Sequence, residues 1–211
     1  MNYDVPFVAN TDDNLHCLQA VYLMIVKFFK PDFEVDWEEW SKITGFEKGK
    51  GTYATAGQLW FKENGFDVKQ ISMFDNQRFI EIGGDYLIEL SGEEVGKWQV
   101  EHSNIPLEQK RTKQLLASGI CEQREPTIQD IKDLLNVGYL VHCLVNARKL
   151  NKQQGYFGHA IVVCGYNDEA LIIHDPGLPA LKNKKVLFDD FEAAWADPNK
   201  EAKEMDAIKL L

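Results

Sequence analysis

The chain is short of positive charge. Its 23 lysines and arginines face 33 aspartates and glutamates, a net charge of −10. A sequence-independent hold on a phosphate backbone needs a surplus of cations, so no nucleic-acid partner is expected. Long apolar runs are also missing. No window approaches the roughly 18 uninterrupted apolar residues of a spanning helix, and "MNYDVPFVANTDD" has no basic segment followed by an apolar one. No membrane span is expected, and a cytoplasmic location is the expectation. Cysteines are few and scattered: Cys17, Cys121, Cys143 and Cys164 form no CxxC pair. A chain of this length needs no disulfide framework, so free thiols are expected. A metal set of His142, Cys143, Cys164 and His174 lacks the tight ligand spacing of zinc motifs. No metal and no cofactor is expected, and there is no internal repeat or low-complexity tract.

What is present is enough apolar material for a core, 45% hydrophobic and 11% aromatic over 211 residues. One domain spanning 1–211 is the natural count. Residues 17–29 are apolar on almost every face, as in a buried central helix, and Pro31 stops it. "DWEEWSKITGF" reads as a helix opened by Asp36, "TYATAGQLWFKENGF" as one closed by Gly65, and "DVKQISMF" as a strand. From about 76 to 120 the chain turns polar and helical, with "GEEVGKWQVEHSN" and "PLEQKRTKQLLASG" as amphipathic helices. This segment is expected to be an insertion. "TIQDIKDLLNVG" reads as a helix capped by Thr127. After it come "YLVHCLVNA", "GHAIVVCGY" and "ALIIHDPG", then "KKVLFDD" and "MDAIKLL", with a short helix "DDFEAAWAD" between the last two. The first three are β-branched, apolar and bounded by turn formers, as antiparallel strands are.

Cys17 stands where the turn-forming "NTDDN" gives way to the buried helix. The free N–H groups and dipole of a helix N-terminus stabilise a thiolate, so position supplies part of the activation of a nucleophile. A base and a group to orient it are then required. Of five histidines, His16 is the sequence neighbour of Cys17 and diverges from it, and His102 lies in the polar helical segment. His142 and His174 read as structural or strand-edge residues, and Cys143 and Cys164 as core. His159 opens a strand after Gly158, 142 residues beyond Cys17, within the roughly 130–150 of papain-like chains. Asp175 ends the following strand 16 residues later. A hairpin of these two strands would set its carboxylate beside the imidazole, fixing the tautomer and stabilising an imidazolium.

Three stretches, "VPFVAN…HCLQA", "GHAIVVCGYND" and "LIIHDPG", resemble the papain-like cysteine peptidases of the double-glycine leader type and their stand-alone peptidase-like relatives. The resemblance covers about the first 30 residues and everything from Thr127 to Leu211. It implies an α+β papain-like fold, with an N-terminal helical half whose nucleophile helix packs on a C-terminal antiparallel sheet. By this resemblance Cys17, His159 and Asp175 are the catalytic residues. The glutamine that serves the family's oxyanion hole is replaced here by Asn10, one methylene shorter, and the loop to the cysteine is one residue longer. Asn14 is the competing amide, and Gln19 lies inside the helix. The family's Gly-Pro after the cysteine is Leu18-Gln19, and with no transporter domain in this sequence the leader-peptide role of the transporter-linked members is not expected to carry over.

The expected chemistry is thiolate attack on an amide or thioester carbonyl, with a peptide as leading substrate. The same acyl-thioenzyme, resolved by an amine, would make an acyltransferase or amidase. A non-catalytic groove that binds a peptide is the alternative from another class. The acidic "TDD", if it borders the cleft, would favour basic or neutral substrates.

Overall fold

Helix α1 (Cys17–Phe29) carries its apolar residues all round, and the fold surrounds it accordingly: every residue from Leu18 to Val26 is buried. The computed structural model describes all 211 residues. After α1 come α2 (Trp37–Ile43) and α3 (Thr55–Glu63), then β1 (Phe66–Ser72). Asp36 caps α2 by accepting the N–H groups of Glu38 and Glu39. Packing of α3 on α1 depends on Gly57, because a Cβ there would stand 2.1 Å from the Tyr22 ring.

Three helices follow, α4 (Asn76–Ile82), α5 (Gly84–Glu101) and α6 (Ile105–Ala117). The sequence suggested only two amphipathic helices here. The structure adds α4 and the first half of α5, set off from the second half by Gly92 at φ 80°. These additions share a small core of Phe79, Tyr86 and Leu87.

The remaining elements are β2 (Cys121–Gln123), α7 (Ile128–Asn136), β3 (Leu140–Asn146), α8 (Ala147–Leu150), β4 (Gly158–Tyr166), β5 (Ala170–Asp175), β6 (Leu181–Leu187), α9 (Phe188–Trp195) and β7 (Glu204–Leu210). A reciprocal cap between Thr127 and Asp130 opens α7. The strands form one sheet in the order β2-β1-β7-β3-β4-β5-β6. Every pair is antiparallel except β1 with β2.

Alternation along β4 divides the core in two. Ala160, Val162 and Cys164 join α1, while Ile161 and Val163 join Ile131 and Leu135 of α7 and Phe191 and Trp195 of α9. Cover on both faces is why β3 and β4 read as continuous apolar runs. Lysine-rich β6 is an edge strand exposed along most of its length.

A cluster of polar groups sits inside this core. Asp206 of β7 is fully buried, accepts hydrogen bonds from Tyr22 Oη (3.2 Å) and Gln58 Nε2 (2.7 Å), and lies 3.0 Å from His142 Nδ1. A buried carboxylate without such partners would cost far more than these bonds return. No helix is long and apolar enough to cross a membrane.

Candidate active site

The N-terminus of α1 and the β4–β5 hairpin meet at one end of the sheet. Because β4 and β5 are antiparallel, with Val162 opposite His174 and Val163 opposite Ile173, the start of one strand lies beside the end of the other. His159 and Asp175 occupy those two places. His159 Nε2 donates to Asp175 Oδ1 at 2.8 Å, and both side chains are buried. The second ring nitrogen, Nδ1, is buried and has no oxygen or nitrogen partner. The group beside the ring is the thiol of Cys17.

Electrostatics follow from these contacts. Burial opposes a thiolate at Cys17, but the hydrogen bond and positive charge of His159, with the N–H groups of Ala160 and Leu18, outweigh it and hold the thiol below its ordinary range. The N-cap, His16, contributes no side-chain cap, so the first N–H groups of α1 stay open toward the sulfur. Burial disfavours the imidazolium of His159, yet its bonds to Asp175 and Cys17 raise it to about 9. Burial likewise works against the Asp175 carboxylate, and His159 and Lys184 together bring it down to about 2. With Asp175 ionised, Nε2 carries the proton and Nδ1 is the nitrogen free to exchange one with sulfur.

The loop before α1 places both asparagines. Asn10 is buried, its Oδ1 accepts the N–H groups of Thr11 and His16 at 2.9 Å each, and its Nδ2 donates to Asn14 Oδ1 at 2.9 Å. Its backbone N–H donates to Pro176 O at 2.8 Å, tying the loop to the turn after Asp175. Asn14 has φ 59°, a left-handed conformation that asparagine tolerates. It lines the cleft with His159 and Gly177. Since its Oδ1 faces Asn10, its Nδ2 is the amide group left without a protein partner.

Other histidines are used elsewhere. The His16 ring contacts Thr11 Oγ1 at 2.8 Å and stacks on Phe46. His102 stacks on Trp98, and His174 Nε2 donates to Val5 O at 2.9 Å.

Against solved structures the whole chain finds partners. The peptidase domain of Streptococcus ComA, a bi-functional ABC transporter involved in quorum sensing, shares 16% identity over 97% of this chain and 96% of that one, with a TM-score of 0.51. A double-glycine-motif protease from an AMS/PCAT transporter, in complex with the leader peptide, shares 13% identity over 100% and 94%, with a TM-score of 0.51. A Bacillus anthracis protein named as a C39-like peptidase shares 15% over 99% and 96%, with a TM-score of 0.54. The chain has the fold of the double-glycine, C39-type peptidases. No protein-family model and no curated protein matches its sequence.

In this fold the start of β4 and the end of β5 border a cleft of about 440 Å³. Asn14, His159, Asp175 and Gly177 are among the residues that line it, and Phe157, Leu178, Pro179 and Leu181 contribute apolar surface. Leu178, Phe157 and Leu181 are exposed, large side chains left open beside the polar groups, as ligand clefts tend to be built.

Two neighbours of the site went unread in the sequence. Gly177 packs against the His159 ring and donates its N–H to Asp175 Oδ1 at 3.1 Å. "DPG" signalled a turn, and the requirement for a missing Cβ appears only with the ring in place. Lys184 Nζ donates to Asp175 Oδ2 at 3.1 Å. Within "KNKKV" it reads as one of several solvated lysines, and no sequence signal marks it.

Proposed function

We propose that the chain is a cysteine peptidase in which Cys17 is the nucleophile, His159 the acid and base, and Asp175 the residue that orients His159. The observation that carries this reading is the position of the His159 ring, with one nitrogen held by Asp175 and the other left to the thiol at the start of α1.

The thiolate attacks a substrate carbonyl carbon, and the developing oxyanion is met by open N–H groups of α1 and by the amide of Asn14, with Asn10 behind it fixing the orientation. Collapse breaks the C–N bond as His159 Nδ1–H gives its proton to the departing amine, leaving an S-acyl enzyme. Water, deprotonated by Nδ1, then attacks the thioester and releases a carboxylic acid and the thiol. Asp175 remains ionised throughout and stabilises each imidazolium. A peptide fits the cleft, because the apolar side chains beside it offer contacts for side chains flanking the reacting bond.

The test uses acyl probes bearing varied peptides, read by intact mass and peptide mapping. A covalent acyl adduct on Cys17 that is absent in Cys17→Ala supports the reading. Release of the acyl group by water makes the enzyme a hydrolase, and preferential release by added hydroxylamine or small amines makes it an acyltransferase. Peptide binding without any adduct would reduce the cleft to a docking groove.

A further inference from the structure

Asp175 has a second cationic neighbour that the reaction above does not use. While His159 Nε2 takes Oδ1, Lys184 Nζ takes Oδ2 at 3.1 Å, and the same ammonium donates to Asn151 Oδ1 at 2.8 Å. Lys184 pairs in the ladder with Ile173, and the register shifts between Ile173 and Asp175. That irregularity lets an edge-strand lysine reach a carboxylate two residues along the neighbouring strand. Its side chain is only 16% exposed, unlike the lysines in solvent-exposed pairs such as Lys42–Glu38 and Lys97–Glu93.

We infer that Lys184 is a positioning residue for the proposed Cys17–His159–Asp175 site, sharing the Asp175 carboxylate with the imidazole and thereby limiting how strongly that carboxylate holds a proton on His159. The proposal rests on the peptidase reading.

A carboxylate paired only with imidazole would hold the imidazolium tightly and make it a reluctant acid toward the leaving amine. An ammonium on the opposite oxygen lowers the local negative potential and destabilises the imidazolium. It also fixes the carboxylate plane, so that Oδ1 stays directed at Nε2. Other charged groups near this line are few. From α1 there is Cys17, and from α8 there is Arg148, which lines the cleft and donates to Gln154 O at 3.3 Å. Next to α8, Lys152 is paired with Asp190 of α9, and Lys149 of α8 with Asp197. On α9, Glu192 is held by Lys203, while Asp189 lies in the first turn. On β6, Lys182 faces Asp4 and Lys185 is exposed. None of these contacts Asp175, which leaves Lys184 as the cation that acts on it directly.

The experiment follows the His159 ring by NMR titration, with iodoacetamide alkylation of Cys17 on the same samples, in wild type, Lys184→Met, Lys184→Arg and Asn151→Ala. Removing the cation in Lys184→Met is expected to raise the His159 titration midpoint by about half to one pH unit. Lys184→Arg should restore the wild-type midpoint. Asn151→Ala keeps the charge but loosens its seat, so a smaller rise in the same direction is expected. This variant keeps the proposal testable even if Lys184→Met folds poorly. A change in melting temperature with no change in midpoint would make Lys184 a structural tie and overturn the proposal. Wild-type His159 titrating near its ordinary value, with Cys17 no more reactive than the other thiols, would overturn the peptidase reading and this proposal together.

Discussion

Gly177 lies against the imidazole of His159. A Cβ on it would stand 3.2 Å from both Cε1 and Nε2 of that ring, and 3.0 Å from Asp175 Oδ1. Contacts this close leave the ring one seat. Gly177→Ala must therefore shift the imidazole or the turn by a few tenths of an ångström, which weakens the bond to Asp175 and misaligns the ring with the thiol. The expected outcome is a fall of about tenfold or more in Cys17 alkylation at pH 6, with a loss of about 1–3 kcal/mol in stability from the overpacking. Chemical denaturation and alkylation of one preparation check both.

The asparagine pair makes a prediction of order. Asn10 reaches the cleft through Asn14, since its Nδ2 is bonded to Asn14 Oδ1. Asn14→Ala removes the amide that faces the cleft and should lower turnover of an acyl probe by about 100-fold, the usual scale for one oxyanion donor, while Cys17 alkylation is unchanged. Asn10→Ala should lower turnover and also destabilise the protein, because the N–H groups of Thr11 and His16 lose their acceptor. Turnover measured beside melting temperature distinguishes the two.

Asp175→Asn tests the carboxylate. Its oxygens accept from His159, Gly177 and Lys184, so an amide must turn its NH₂ toward at least one donor. A drop of about 1–3 kcal/mol is expected, together with a large loss of Cys17 reactivity at pH 6. The pH dependence has a definite sign. Asp175 is depressed to about 2 in the folded chain, so its stabilising contribution is complete above the roughly 3.9 of an unfolded aspartate and is lost as pH falls from there toward 2. The gap in melting temperature between wild type and Asp175→Asn should therefore be wide at pH 5 and narrow toward pH 2.

Much of the fold is legible because the chain signals it locally. The all-round apolar run of 17–29 could only be a buried helix, and β3, β4 and β5 announce themselves by β-branched runs between turn formers. The nearness of His159 to Asp175 followed from hairpin geometry alone. What stayed hidden depends on register and on distant partners. β2 is three residues long, ending in exposed Glu122 and Gln123, and exists because β1 offers it an edge. α8 is a single turn, seated by Asn146, whose Oδ1 accepts from Arg148 N. β6 begins at Leu181, ahead of the Lys184 that opens "KKVLFDD", and its exposed first residues lack the alternation that would mark a strand. The reach of Lys184 to Asp175 needs the irregularity beside Asp175, which no residue type in the strand encodes. The Asn10–Asn14 link requires the left-handed turn at Asn14, which the sequence permits without demanding.

Relative thiol reactivity tests the central claim most directly. Burial pushes Cys121 up to about 11 and Cys164 to about 12, and it raises Cys143 as well, whereas Cys17 is lowered by its neighbours. Brief iodoacetamide treatment at pH 6 followed by peptide mapping should show Cys17 alkylated about 100-fold faster than the other three. The rate should rise at a lower pH than for the other three thiols and change again as His159 loses its proton near pH 9. His159→Ala should abolish the advantage at pH 6. Alkylation of Cys17 as slow as that of Cys143, or rising only above the roughly 8.5 of a free thiol, would contradict a thiolate–imidazolium pair at the start of α1.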